Sequence, residues 1–155
     1  MRWVVLAVLY ASVAQAQPAP STPAPSVIVN GMVSHPGPVL LAGLKPVTFS
    51  AHFATMHGDD AHSWTGPLLA DVIAAAGVTD APGKKTHWRH VIMAEGADRY
   101  GVAVSIGEID AKGAGKQVIV ALKQDDKALA APRLIVPGDA SFARGVHDLV
   151  ALEVR

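Results

Sequence analysis

"RLIVPGDASFARGVHDL", residues 133–149, joins two apolar runs through a polar and broken connection. Leu134-Ile135-Val136 reads as one strand and Leu149 to Val154 as another, because both are aliphatic runs rich in β-branched residues and bounded by turn formers. Pro137-Gly138 forces a corner between them. Asp139, Ser141, Arg144, His147 and Asp148 then follow in quick succession. Ser141 suits the cap of a short helical turn, which would set Arg144 and His147 side by side. Such a pair fits a phosphate or the edge of a heterocycle, since Arg offers a planar fork of donors and His a further donor or acceptor. A solvated turn with Arg144 paired to Asp139 or Asp148 fits the same spacing.

Outward from this stretch the chain reads as short strands with little helix. Val27-Ile28-Val29 runs into the turn pair Asn30-Gly31, and Val39-Leu40-Leu41 follows a second break at His35-Pro36-Gly37-Pro38. Pro46 to Ala51 places Val47 and Phe49 on one face. Further strands are expected at Trp88 to Met93, Tyr100 to Val104 and Val118 to Leu122. One segment, TGPLLADVIAAAGV, predicts a helix with Pro67 at its first position and Gly77 at its left-handed stop. Its apolar face carries Leu68, Leu69, Val72, Ile73 and Ala76. Ser105-Ile106-Gly107-Glu108 has the spacing of a capping box. Many strands with one good helix point to a mainly-β, α+β domain and away from alternating βαβ units.

The N-terminus reads differently. Met1-Arg2, an apolar run from Trp3 to Val13 and the site Ala14-Gln15-Ala16 predict a secretory signal peptide cleaved after Ala16. The run is shorter than the roughly 20 residues that cross a bilayer. QPAPSTPAP then reads as a semi-rigid tether over 17–26, leaving a domain over 27–155. The 155 residues include no cysteine, so neither disulfides nor a thiolate nucleophile or ligand is available. Formal charge is zero and no basic stripe occurs, which argues against a nucleic-acid partner.

Two groups of residues carry candidate chemistry besides Arg144 and His147. His52, His57 and His62, with Asp59 and Asp60 between the last two, offer imidazoles and carboxylates for copper or zinc. Their five-residue spacing matches neither a helix face nor a strand face, so a polar His/Asp/Gly loop is the plainer reading. Trp64 and Thr65 stand just before the expected helix start, where an indole face and free amides would form one wall of a pocket. Core packing is the plainer role for Trp64.

Five stretches in order and spacing resemble the oxidoreductase molybdopterin-binding domain of the sulfite oxidase type, in its small exported version. They are "VNGMVSHPGPVLL", "HSWTGPLLADVIAAAGV", "GADRYGVAVSIGEID", "VIVALKQDDKALAAPRLIVPGD" and "ARGVHDLVALEV". The resemblance implies a mainly-β α+β fold with mixed sheets and a few short helices. It also implies a pterin cofactor held across loops at one end. Carried onto this chain, the implied ligand-binding residues are Trp64, Thr65, Tyr100, Asp139, Arg144 and His147. Arg99 replaces the glycine usual before the tyrosine.

The main departure is the molybdenum-ligating cysteine of the catalytic members, whose region here is His57 to His62. Without it, protein-ligated molybdenum and sulfite-oxidase-like catalysis are not expected, since the redox chemistry belongs to the cofactor. Small exported relatives lacking this cysteine resemble periplasmic pterin-binding proteins, some of them partners of membrane receptors that govern cyclic-di-GMP. The expectation is therefore a periplasmic, non-catalytic protein binding a pterin or related planar heterocycle, with a receptor's sensor domain as partner. A molybdenum-cofactor oxidoreductase and a His-rich Cu/Zn-binding or interaction module are the alternatives.

Overall fold

The computed structural model describes residues 24–55 and 58–155. The expected signal peptide, the tether up to residue 23 and His57 lie outside the described residues. Nine strands and two helices form the domain: β1 (Ser26–Gly31), β2 (Gly37–Leu40), β3 (Pro46–Thr55), β4 (Gly58–Pro67), α1 (Leu69–Ala76), β5 (Val91–Gly96), β6 (Gly101–Ser105), α2 (Ile106–Ile109), β7 (Ile119–Gln124), β8 (Lys127–Ile135) and β9 (Leu149–Val154). A five-stranded sheet has the order β2-β1-β9-β5-β6, and a four-stranded sheet the order β3-β4-β7-β8. The first is mixed, because β1 runs parallel to β9 while its other pairs are antiparallel. The second is antiparallel throughout. The mainly-β α+β expectation describes this architecture.

The main core lies between the two sheets. Val27, Val29, Ile92, Ala94, Leu152 and Val154 meet Leu69, Val72, Ile73 and Ala76 of α1, Val120 and Leu134 of the second sheet, and Val136 just past it. Burying an aliphatic side chain of this kind contributes about 1.5–3 kcal/mol, so the core suffices without disulfides. A smaller cluster of Ala51, Phe53, Trp64, Ile119, Ala121 and Ile135 lies on the other face of the four-stranded sheet. Period-two alternation explains the split. Val118 and Val120 point to the main core and Ile119 and Ala121 away from it; likewise Leu134 points to the main core and Ile135 away.

Several sequence expectations need correction. The His/Asp/Gly stretch is no loop: β4 begins at Gly58 and pairs with β3 along its full length. Pro67 closes β4 opposite Pro46, and α1 starts at Leu69 with an extended Leu68 as its cap. Trp64 and Thr65 therefore sit inside a strand. Gly77 ends α1 at φ +71° as the sequence predicts. Trp88 and Arg89 belong to a 3₁₀ turn over Thr86–Arg89, and the strand begins only at Val91. Ser105 caps α2 by accepting from the Gly107 amide, whereas Glu108 turns away to other partners.

One close approach fixes a glycine. A Cβ at Gly66 would lie 2.0 Å from the Val120 carbonyl oxygen, so only glycine lets β4 pack against β7 here.

Candidate functional site

The stretch 133–149 folds back on itself. Leu134 and Val146 exchange backbone hydrogen bonds of 2.9 and 3.2 Å, forming an antiparallel bridge. Between them Ser141 caps a 3₁₀ turn over Phe142–Arg144, accepting from the Ala143 amide at 3.4 Å. Because the turn ends at Arg144 and the bridge reverses the chain at Val146, Arg144 and His147 do not share a helical face. This corrects the side-by-side placement that their spacing suggested.

A cavity of about 220 Å³ opens over the smaller hydrophobic cluster. Phe53, His62 and Trp64 come to it from the β3–β4 hairpin, Gln124 and Arg133 from β7 and β8, and Phe142 and His147 from the folded-back stretch. The walls are largely aromatic. Phe142 meets Phe53 and His147 edge-on, each at 5.2 Å between ring centroids, and lies within 22° of parallel to Trp64 at 6.4 Å. A cavity of about 150 Å³ already accommodates benzene, so this one has room for a bicyclic ring.

Trp64 carries the most telling feature. Its ring is 2% exposed, yet its Nε1–H has no hydrogen-bond partner. Leaving a buried donor unpaired costs about 1–3 kcal/mol, and such groups are rare. The nitrogen is closed to the cavity as well as to bulk solvent, so the cavity meets the indole ring and not its N–H.

Arg133 is the cation of the site. Its Cζ lies over the Trp64 ring at 5.4 Å from the centroid, and its Nη1 donates to the Gln124 side-chain oxygen at 3.2 Å. The guanidinium is thus bonded to a neutral amide, and Asp148 acts on it only through space. Burial lowers its pKa from the ordinary value without discharging it. Loss of solvent, then the Arg133 charge, holds the His147 pKa below the usual His value, so His147 is neutral at pH 7. His62 hydrogen-bonds Asp125 through Nδ1 at 2.6 Å and Asp60 through Nε2 at 2.9 Å. The Ser63 amide first, and His62 second, lower the Asp125 pKa.

The other expected site residues lie elsewhere. Arg144 makes a double fork: Nε and Nη2 donate to Asp139 at 2.7 Å each, and Nη1 and Nη2 donate to Glu108 at 3.1 Å each. Lys116 Nζ bonds the same two carboxylates at 3.1 Å. Arg144 is the leading cause that lowers the pKa of both acids, and they in turn raise its own. Asp139 and Arg144 therefore meet each other and do not line the cavity. Tyr100 reaches the 3₁₀ turn from the β5–β6 connection, its hydroxyl donating to the Ala143 carbonyl. It thereby steadies the turn that presents Phe142. Arg99 has φ +68°, a left-handed conformation natural to the glycine that it replaces.

Thr65 faces away from Trp64 and hydrogen-bonds Thr48 across the hairpin at 2.8 Å. His52 pairs with Ala61 and His62 with Ala51, so His52 and His62 point to opposite faces of the hairpin. Among the described residues, no group of three or more His, Asp or Glu gathers in a metal-holding arrangement. Sequence reading missed Phe53, Gln124, Arg133 and Phe142. Arg133 precedes a run buried on both faces, which hides the side it points to.

The fold is thus a mainly-β domain with an aromatic-walled cavity beside Arg133. The profile of the oxidoreductase molybdopterin-binding domain matches residues 29–155. The chain belongs to that family. No curated protein matches it.

Proposed function

We propose that this protein is an exported, non-catalytic binding protein for a pterin or a related planar heterocycle. The observation that carries the reading is a cavity walled by Trp64 and Phe142 that also presents the Arg133 guanidinium, bonded only to a neutral amide. A pterin ring supplies acceptors along its edge for the guanidinium, and π-faces for Trp64 and Phe142. Gln124 and neutral His147 add further donors or acceptors.

The donor set fits the planar part of a molybdopterin-type group. It does not fit molybdenum held by a protein thiolate, because the chain has no cysteine. The reading therefore assigns Trp64, Arg133, Phe142 and His147 to holding the ring and no residue to a redox step. Export to the periplasm, and a membrane receptor's sensor domain as partner, complete the proposal. The leader-like sequence of residues 1–16 supports export.

Protein purified from its own host tests this directly. A bound fluorescent pterin without molybdenum is the expected result. Stoichiometric molybdenum with redox activity would replace the binding reading by that of an oxidoreductase. Copper or zinc lost on substituting His57 and His62 would replace it by that of a metal-binding module.

A further inference from the structure

In a chain of zero net charge, the stretch "APGKKTHWRH", residues 81–90, gathers Lys84, Lys85 and Arg89 around Trp88. Lys85 caps the 3₁₀ turn Thr86–Arg89 at φ +60°, and all three cations are exposed. None of them has an ion-pair partner among the described residues. The acids that meet this segment are engaged by its histidines. Asp80 Oδ1 lies 2.9 Å from His90 Nε2 and 3.3 Å from His87 Nδ1, and Asp110 lies 3.1 Å from His87 Nε2 and accepts from the Lys112 amide at 2.7 Å. The turn therefore carries positive charge that the protein does not neutralise.

Trp88 adds an apolar surface held in the open. A Cβ at Gly113 would lie 3.1 Å from its Cζ3 and one at Gly107 3.7 Å from its Cε3, so one edge of the ring rests on two glycines. The His87 ring braces it edge-on at 5.5 Å between centroids. Trp88 is nevertheless 38% exposed, and so is Met32. Both stand at one end of the five-stranded sheet: the Met32 amide donates to the Val154 carbonyl at 2.8 Å, and the Val91 amide to the Arg155 carbonyl at 3.0 Å.

We propose that this end of the domain docks on an anionic lipid bilayer. The uncommitted Lys84, Lys85 and Arg89 meet lipid phosphates, and their hydrocarbon stems cover the boundary below. An exposed indole settles at headgroup level, since its ring is apolar and its N–H polar. Met32 adds a second apolar contact at the same depth of the sheet end. A soluble polyanion would satisfy the cations alone, whereas the indole and thioether beside them call for an acyl boundary. None of these residues lines the aromatic cavity, so the proposal stands or falls apart from the pterin reading.

Vesicle flotation of protein purified from its own host tests this. Vesicles of phosphatidylglycerol mixed with phosphatidylcholine should carry the protein, and phosphatidylcholine alone should bind it at least about tenfold more weakly. Salt at about 0.5 M should release it, because the charges are then screened within a few ångströms. The double variant Lys84→Gln, Arg89→Gln, with its fold checked by thermal melting, should bind about 25-fold more weakly, roughly fivefold for each cation. Lipids brominated on their acyl chains should quench wild-type fluorescence on binding, and Trp88→Phe should lose that quenching. Unchanged affinity in the double variant would overturn the proposal and point to anchoring by the apolar run near the N-terminus. No flotation, equal binding to the two vesicles, no quenching that depends on Trp88, or retention on heparin without flotation would each overturn it as well.

Discussion

Two arginines eleven positions apart in the chain meet opposite fates. Arg144 spends its donors on Asp139 and Glu108, in a network that Lys116 completes. Arg133 bonds one neutral amide and lies over Trp64, at a cavity with aromatic walls. Two cations against two carboxylates balance locally, so the first site is closed to a ligand and ties the turn after β8 to α2. The second has charge and a donor to spare. An arginine is a binding residue when its surroundings leave its donors uncommitted, and sequence spacing does not report that.

Removing each arginine should break the comparison in a different place. Arg144→Ala leaves two half-buried carboxylates facing Lys116 alone and should cost about 2–3 kcal/mol of stability, read from chemical denaturation. Acid should attack the same network more gently. Glu108 and Asp139 have folded pKa values below their ordinary ones, so their stabilisation is complete above the ordinary carboxyl range of about 4 and lost as pH falls through the lower folded values. A wild-type melting temperature that falls at acid pH, with a shallower fall in the double variant Glu108→Gln, Asp139→Asn, is the expected pattern. Arg133→Gln should leave stability unchanged and weaken pterin binding at least about tenfold, the equivalent of one charge-assisted bond. Arg133→Lys should recover only part of that loss, since an ammonium lacks the planar fork.

Smaller effects sharpen the picture. Trp64→Phe keeps an aromatic wall but leaves a void in the smaller core, so stability should fall by about 1–2 kcal/mol while pterin affinity changes by less than about threefold. Arg99→Gly should change stability by no more than about 1 kcal/mol, because relief of the left-handed backbone is offset by a more flexible unfolded chain. Calorimetry and thermal melts check both.

Local pattern carried the fold further than it carried the site. β9 runs from Leu149 to Val154 as its aliphatic run indicates, and Gly77 stops α1 where left-handed geometry is needed. The start of β4 escaped because its first residues are polar and exposed. Asp59, Asp60 and Ala61 are exposed there, so no apolar alternation announces a strand. The cavity escaped for a related reason. Arg133 shares a face with Ile135, but burial of both Leu134 and Ile135 removes the period-two signal that would reveal it. Phe142 is brought over Trp64 by the Leu134–Val146 bridge, a long-range closure with no local signature. The family resemblance supplied the architecture. It pointed to Arg144, whose donors meet Asp139 and Glu108 in this structure.

The most direct test is equilibrium dialysis of the full-length protein against a fluorescent pterin, with Arg133→Gln alongside and thermal melts of both. The account predicts one pterin per wild-type chain and an affinity at least about tenfold lower in Arg133→Gln, at an unchanged melting temperature. No pterin bound by folded wild-type protein, or equal affinity in the two proteins, would contradict it.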